Sequence, residues 1–270
     1  MTVSRHAARE LLAFYSEAGV DALVGETPVD HLTDDLVEQP AAPPTPALPI
    51  PRVPIPRIME SAPPAAVPPS PDAAIMAARE AAKSAVTLQD LRAILDRFEG
   101  CALRSAATQL VFASGNPQSR VMFVGEAPGR DEDIQGEPFV GRAGKLLDRM
   151  LAAIGLDRSS VYIANIVPWR PPGNRTPTPQ EAQICLPFLL RQIELADPEI
   201  LVCLGNPSAQ TLLGLREGIT RTRGRWFPFH TGARQIRAMP TLHPAYLLRQ
   251  PLQKRLAWRD FLAIKKALAT

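Results

Sequence analysis

VMFVGEAPG, residues 121–129, decides the fold, because four apolar residues suited to a buried strand pass directly into a turn rich in glycine and proline. Three further apolar runs end in similar loops, at residues 161–167, Ile200–Leu204 and 236–242. Between these runs, apolar residues recur with a helical period, as in residues 146–154 and 184–193. Strands that alternate with helices predict an α/β domain whose central four-stranded parallel sheet is flanked by helices.

The residues that follow these four strands are unusual for loops. GEAPG (125–129) follows the first strand, and Asn165 with WRPPGNR (169–175) follows the second. GNPS (205–208) follows the third strand, and His243 and Pro244 follow the fourth. Ligands of parallel α/β sheets bind at the carboxyl ends of the strands. We therefore expect all four groups to meet in one site at one edge of the sheet.

Composition excludes few classes of protein. A chain of 270 residues with a hydrophobic fraction of 46% can bury an ample core. Its apolar runs fall short of the roughly 18–20 residues that span a membrane, and the start MTVSRH lacks a secretory signal, so we expect a protein of the bacterial cytoplasm without membrane contact. Three cysteines fit no disulfide framework. A net charge of +3 permits nucleic-acid binding without arguing for it, and a monomer is expected.

Proline divides the chain into three parts. Residues 40–71 are dense in proline and alanine and show no helical or strand period, which predicts a disordered, extended linker. Residues 1–39 hold one short amphipathic helix, at 7–15, that is too small to fold alone and either docks on the body or binds a protein partner. The compact domain is expected at 72–270, with a first helix at 72–85 and a second helix that opens with a capping box between Thr87 and Asp90.

Three stretches of the chain carry a family resemblance. GEAPGRDEDIQGEPFVG (125–141) and HPAYLLR (243–249) resemble the two signature motifs of the uracil-DNA glycosylase superfamily, and NIVPWRPPGNRTPTP (165–179) resembles a third stretch typical of its bacterial family 4 branch. The resemblance runs from about residue 98 to the C-terminus. It implies an enzyme that flips deoxyuridine out of DNA and hydrolyses its N-glycosidic bond, releasing uracil and leaving an abasic site for base excision repair.

The resemblance implies two catalytic residues, Glu126 and His243. Cleavage of the glycosidic bond builds positive charge on the sugar and negative charge on uracil. A carboxylate at Glu126 would stabilise the sugar and support attack by water, while His243 would donate a hydrogen bond to uracil O2. Ala127 stands where other branches of the superfamily carry a water-activating aspartate, which leaves Glu126 as the candidate for that role and suggests slower chemistry.

The resemblance also implies a uracil-binding group of Gly125, Glu126, Phe139, Asn165 and His243. Phe139 would stack on the extruded base, an interaction worth roughly 1–3 kcal/mol that tolerates any base. The Asn165 amide would pair with uracil N3–H and O4. Cytosine reverses this pattern of donor and acceptor, and unpaired buried groups cost about 1–3 kcal/mol each.

Contacts to DNA outside the base are expected from a further set of residues. Phosphates need donors, and a family member pushes a side chain into the space left by the flipped base. We expect Leu247 to be that wedge, with Arg249 as the second candidate. The expected phosphate contacts are Arg170, Arg175, Gly205 and Ser208.

Family 4 enzymes usually hold an iron–sulfur cluster on four cysteines. On this chain the matching positions are occupied by Phe98, Cys101, Trp169 and Cys185, so that Cys101 and Cys185 are remnants of a ligand set. Since such clusters take thiolate ligands, we predict that this protein has no cluster, no other metal and no cofactor.

Two other functions fit the same residues. A glycosylase of broader specificity would also remove hypoxanthine or xanthine, since Phe139 accepts a purine. A non-catalytic DNA-binding module is the alternative from another class, but phosphate binding alone needs neither Glu126, Asn165 nor His243. The expected partner of this protein is DNA that contains uracil.

Overall fold

The computed structural model describes residues 71–269 of the chain. Its strands are β1 (Ser114–Gly115), β2 (Val121–Gly125), β3 (Tyr162–Asn165), β4 (Ile200–Leu204), β5 (Phe227–His230) and β6 (Gln235–Thr241). Its α-helices are α1 (Pro71–Ser84), α2 (Leu88–Arg97), α3 (Leu103–Ala106), α4 (Arg130–Gln135), α5 (Arg142–Ala153), α6 (Pro179–Ala196), α7 (Asn206–Leu213), α8 (Ile219–Thr222), α9 (Pro244–Arg249) and α10 (Lys254–Leu268). Short 3-10 helices lie at Arg158–Ser160, Pro172–Asn174 and Pro251–Gln253.

Within these residues the strands form one sheet in the order β1-β3-β2-β4-β6-β5. Strands β3, β2, β4 and β6 are parallel to one another, which confirms the predicted four-stranded parallel sheet. The structure adds an antiparallel strand at each edge, β1 beside β3 and β5 beside β6. Neither edge strand was predicted, because β1 has only two residues and Pro228 interrupts the apolar pattern of β5.

The sheet is covered on both faces because each buried strand sends alternate side chains to opposite sides. Met122 and Val124 pack in a cluster with side chains of α1, α2 and α6. Val121 and Phe123 pack in a second cluster with side chains of α5 and α10, where Phe123 stacks on Phe261. Two covered faces explain why the strands are apolar throughout rather than alternating.

The carboxyl ends of the four parallel strands meet at one edge of the sheet. Gly125, the last residue of β2, is in register with Asn165, the last residue of β3. Leu204 at the end of β4 is in register with Thr241 at the end of β6, and the Gly205 N–H donates to the Thr241 carbonyl at 2.8 Å. The prediction that the groups following these strands share one edge is confirmed.

The N-terminal predictions fall mostly outside the structure. The helix at 7–15 and all but the last residue of the linker at 40–71 lie outside the described residues. Helix α2 begins at the predicted capping box, in which the Asp90 N–H donates to Thr87 Oγ1 (3.1 Å) and the Thr87 N–H donates to the Asp90 carboxylate (2.9 Å). In the described part of the chain, every helix is too short or too polar to cross a bilayer.

Candidate active site

A cleft of about 220 Å³ opens at the carboxyl edge of the sheet. Its lining includes Glu126 and Phe139 from the segment after β2, Asn165 from the end of β3, and His243 from the turn after β6. Arg175 also lines it. The structure therefore brings the predicted base-binding and catalytic side chains together around one cavity.

Gly125 permits the closest approach in this cleft. A Cβ atom at this position would overlap Asn165 Oδ1 and would lie 2.6 Å from Cζ of the Phe139 ring, nearer than real Cβ atoms come to other groups. Any side chain at 125 would have to displace the amide, the ring or both. Gly125 thus sets the spacing between the two predicted base-binding side chains.

Phe139 forms a wall of the cleft in an unusual backbone conformation. Its φ angle is +57°, a region that bulky residues rarely adopt, and its side chain is 5% exposed. Gly144 makes room for the Phe139 carbonyl, which a Cβ atom at 144 would overlap. The Phe139 ring centroid lies 5.5 Å from that of His243, with the planes tilted by 33°. A flat base can stack against such a ring.

Asn165 offers an unused acceptor to the cleft. The side chain is 5% exposed, and its Oδ1 has no hydrogen-bond partner among residues 71–269. A buried acceptor without a partner costs about 1–3 kcal/mol. A ligand that brings an N–H group to Oδ1 would recover that cost.

Glu126 offers an unused carboxylate oxygen. Its side chain is half-buried, and Oε1 is buried without a partner within the described part of the chain. Burial raises the pKa of this carboxyl above its usual 4.5, and a hydrogen bond with the Thr176 side chain acts in the opposite direction. The carboxyl is thus partly desolvated and able to accept another hydrogen bond.

His243 is fixed in one neutral form. It caps the N-terminus of α9, where its Nδ1 accepts a hydrogen bond from the Ala245 N–H at 3.1 Å. Burial, and secondly the charge of Arg249, lowers the pKa of His243 to about 4. At neutral pH the imidazole is therefore uncharged, and since Nδ1 is an acceptor the proton lies on Nε2. This leaves an N–H donor that is free for a ligand.

Two residues of the site were missed from the sequence. Thr176 lines the cleft, and its side chain lowers the pKa of Glu126, while Glu132 accepts from the N–H groups of Gly129 (3.1 Å) and Gly141 (2.9 Å). Glu132 thus ties the loop after β2 to the loop that carries Phe139. Its position three residues after Gly129, as in a capping box, is the signal that could have found it.

The two predicted phosphate-binding arginines already have partners. Arg170 donates to Asn174 Oδ1 at 2.7 Å and lies 3.9 Å from the buried carboxylate of Asp133. Arg175 is exposed and makes two hydrogen bonds with Glu181, at 2.8 and 2.6 Å. Both side chains hold the loop between β3 and α6 in shape, and Arg175 does so at the rim of the cleft.

The prediction for Ser208 conflicts with its burial. The side chain has no exposed surface, and its hydroxyl donates to the Val124 carbonyl at 2.8 Å. It cannot contact a phosphate while that bond stands, so its place in α7 is structural. Gly205, immediately before α7, has a φ of +92° and lies against His243, and its N–H already donates to the Thr241 carbonyl, so that this N–H cannot donate to a phosphate while that bond stands.

The structure also argues against Leu247 as the wedge. Residues 244–249 form helix α9 rather than an open loop, and helical phase turns Leu247 inward onto Leu242 and Ala257. Leu247 has no exposed surface, whereas Leu248 is 37% exposed. Arg249, the second candidate, is exposed at the end of the same helix.

The four positions matched to an iron–sulfur ligand set lie in one apolar cluster. The Cys101 and Cys185 sulfurs are 3.9 Å apart, and Trp169 is 2% exposed. The Phe98 ring packs on Phe188 with centroids 4.9 Å apart. The contact between the two thiols, together with burial, raises the pKa of Cys185 well above its usual value, and the same contact lowers the pKa of Cys101. Two thiols beside two aromatic rings do not fit a cluster that needs four thiolates.

Comparison with known proteins agrees with this geometry. The sequence pattern of the Uracil DNA glycosylase superfamily matches residues 112–262, more than half of the chain, so the chain belongs to that superfamily. It is 43% identical over 165 residues to the type-4 uracil-DNA glycosylase of Archaeoglobus fulgidus, a match that covers 60% of this chain and 83% of the relative. It is 46% identical over 150 residues to the type-4 enzyme of Thermotoga maritima, covering 55% and 77%. The corresponding protein of Saccharolobus solfataricus is 41% identical over 175 residues, covering 63% and 81%. The predicted similarity to family 4 is confirmed.

Proposed function

We propose that this protein is a uracil-DNA glycosylase that hydrolyses the N-glycosidic bond of deoxyuridine flipped out of DNA, releasing uracil and leaving an abasic site for base excision repair. One observation carries the proposal: an amide oxygen and a carboxylate oxygen, each without a partner among residues 71–269, border one cleft together with the imidazole of His243 and an aromatic ring. Together they match the donors, acceptors and charges that cleavage of deoxyuridine requires.

Base recognition is assigned to Asn165 and Phe139. In the proposed complex, Asn165 Oδ1 accepts from uracil N3–H and the Asn165 amide N–H donates to O4, while the uracil ring stacks on Phe139. Cytosine would set an acceptor against Oδ1 and an amine against the amide N–H. Both groups would then be buried unpaired, at a cost of about 1–3 kcal/mol each.

Bond cleavage is assigned to His243 and Glu126. As the bond between C1′ and N1 breaks, its electron pair leaves with uracil, and the Nε2–H of His243 donates to O2, where negative charge collects. The ionised carboxylate of Glu126 stabilises the positive charge on the sugar. Water then bonds to C1′ and its proton passes to Glu126. These steps use no cofactor.

Contacts to the DNA backbone are assigned to Arg175, which is exposed at the rim of the cleft, and to Arg249, which is exposed at the end of the helix that His243 caps. Both Arg170 and Arg175 have protein partners, and Arg170 is the weaker candidate because its side chain is less exposed, 26% against 44% for Arg175. For the duplex wedge we favour Leu248, whose side chain is exposed on α9 next to the turn that holds His243. A monomeric state, a bacterial cytoplasmic location and a protein partner for residues 7–15 stay predictions.

The decisive experiment is incubation with a labelled oligonucleotide that contains one uracil, followed by alkaline cleavage at any abasic site. Parallel oligonucleotides with cytosine, thymine or hypoxanthine at the same place test selectivity. Strand cleavage at uracil, absent in the double variant of Glu126→Gln with His243→Ala, supports the proposal. Equal cleavage at hypoxanthine would favour the broader glycosylase, and an uncut uracil strand that is still bound would favour a non-catalytic DNA-binding protein.

A further inference from the structure

We infer that Arg158 is a positioning residue, which fixes the Phe139 ring against the Asn165 amide and so sets the width of the base-binding slot. The inference rests on the proposed function. It concerns a residue outside every motif used above, in a short 3-10 helix at the start of β3.

All three nitrogens of the Arg158 guanidinium donate hydrogen bonds. It donates to the Phe139 carbonyl through Nη2 and, through Nη1, to the Pro138 carbonyl at 3.1 Å and the Ser114 hydroxyl at 3.3 Å. Its Nε donates to the Asp148 carboxylate at 2.8 Å. One side chain therefore joins β1, helix α5 and the backbone of the Phe139 loop.

This loop needs such an anchor. Phe139 holds a φ of +57°, and a bulky residue keeps that conformation only where the surroundings fix it. Gly144 accommodates the Phe139 carbonyl by its lack of a side chain, and Arg158 donates to the same carbonyl. Without the guanidinium, the carbonyl loses that charged donor and the backbone can relax toward an ordinary φ, which turns the ring.

Arg158 is also tied to the residue that reads the base edge. The 3-10 helix Arg158–Ser160 leads directly into β3, and β3 ends at Asn165. The Arg158 backbone packs closely against β1, because a Cβ atom at Gly115 would lie 2.6 Å from the Arg158 carbonyl oxygen. One short segment thus carries the anchor of the ring at its start and the amide at its end.

The consequence is a fixed slot between ring and amide. Gly125 shows that the ring and the amide both pack directly over this glycine, since a methyl group there would meet both of them. A single pyrimidine ring that stacks on the fixed Phe139 ring with its edge at the fixed amide gains both contacts, whereas the two fused rings of hypoxanthine need these groups to move. Loosening the ring should therefore slow uracil excision and reduce the preference for uracil over hypoxanthine.

The test compares Arg158→Met, which keeps the chain length and loses all donors, with Arg158→Lys, which keeps one charged donor. The matched control is Arg120→Met. Arg120 likewise pairs with the carboxylate of Glu199 and donates to the backbone carbonyl of Leu268, but it precedes β2 at the opposite edge of the sheet. Single-turnover excision is measured on single-stranded oligonucleotides with uracil or hypoxanthine. A displacement of about 1 Å can cost 10²-fold, so we expect Arg158→Met to be about 10- to 100-fold slower on uracil. Arg158→Lys should recover part of that loss, and Arg120→Met should match the parent.

A double-mutant cycle separates positioning from general destabilisation. If Arg158 acts through the ring, Arg158→Met should add little to the defect of Phe139→Ala, and affinity for an abasic oligonucleotide should stay at the parental level. Parental excision by Arg158→Met, full additivity with Phe139→Ala, or an equal defect in Arg120→Met would each overturn the inference. Should Arg158→Met fail to fold, Arg158→Lys takes its place in the cycle. A parent that does not excise uracil overturns the proposed function itself, which is a different result.

Discussion

Replacement of Gly125 by alanine should slow uracil excision about 10- to 100-fold while the fold is kept. The new methyl carbon would lie 2.6 Å from Phe139 Cζ and still closer to Asn165 Oδ1, where ordinary contacts begin at 3.4 Å, so ring or amide must move by about 1 Å. Displacements of that size in a catalytic site can cost up to about 10²-fold in rate. The backbone itself should not resist, because Gly125 has an ordinary φ and alanine is the better residue inside a strand.

Single-turnover kinetics on a uracil oligonucleotide measure this effect, and thermal unfolding checks the fold. Gly218→Ala is the matched control, since Gly218 also has an ordinary φ but, in the part of the chain that the structure describes, no atom lies within 4 Å of its added Cβ. The control should excise uracil at the parental rate. If Gly125→Ala is as fast as Gly218→Ala, then the close approach of ring and amide does not limit the reaction, and the reasoning about the slot is wrong.

Four further predictions concern single side chains. His243→Ala should lower the single-turnover rate about 10²–10³-fold by removing one donor to developing charge, with binding of abasic DNA nearly unchanged; a loss below about tenfold would speak against its role. Asn165→Asp should lower the ratio of uracil to cytosine excision in a competition between two labelled oligonucleotides, because the carboxylate oxygen that replaces the amide nitrogen can accept from cytosine's amine but cannot donate to uracil O4. An unchanged ratio would assign base reading to other groups. The acid limb of the rate–pH profile should lie above pH 4.5, since excision requires the ionised form of Glu126 and burial raises the pKa of this carboxyl. Glu126→Gln should slow excision and abolish this limb, and a limb that persists in the variant belongs to another group. Leu248→Ala should slow excision from duplex but not from single-stranded DNA, whereas Leu247→Ala should destabilise the fold by about 2–5 kcal/mol; the reverse pattern would restore Leu247 as the wedge.

The parallel sheet and the meeting point of its loops could be predicted because they depend on local pattern alone. A continuous apolar run such as 121–124 signals a strand covered on both faces, and the chain order of strands and helices then leaves one edge for all their carboxyl ends. Glu126, Asn165 and His243 each follow such a run directly. The sequence therefore predicts that these three side chains lie at one edge of the sheet, but it does not predict the distances between them.

The wrong or missing predictions depend on facing partners that a sequence does not display. Leu247 and Leu248 are chemically identical neighbours, and only the phase of α9 against Leu242 and Ala257 decides which one is buried. Ser208 stands at a helix N-terminus like a phosphate-binding serine, but its hydroxyl points at the Val124 carbonyl of a neighbouring strand. Arg158 has no motif at all, and its contacts come from residues on three separate elements.

Burial acts in opposite directions on the two groups to which catalysis is assigned. It lowers the pKa of His243 from 6.5 to about 4 and raises that of Glu126 above 4.5. As the pH falls from 6.5 toward 4, the unfolded chain binds a proton at His243 before the folded one does, so stability is lost over that range. The raised pKa of Glu126 has the opposite sign, because its contribution is complete below pH 4.5 and is lost as the pH rises through the folded value. At neutral pH the cleft therefore holds a desolvated carboxylate and an amide oxygen without a partner among residues 71–269, both at a cost to the folded state, beside an imidazole that is neutral in the folded and unfolded chain alike. A flipped deoxyuridine that pairs with these groups offsets that cost in the complex, so the same unsatisfied groups that weaken the free protein favour the substrate that satisfies them.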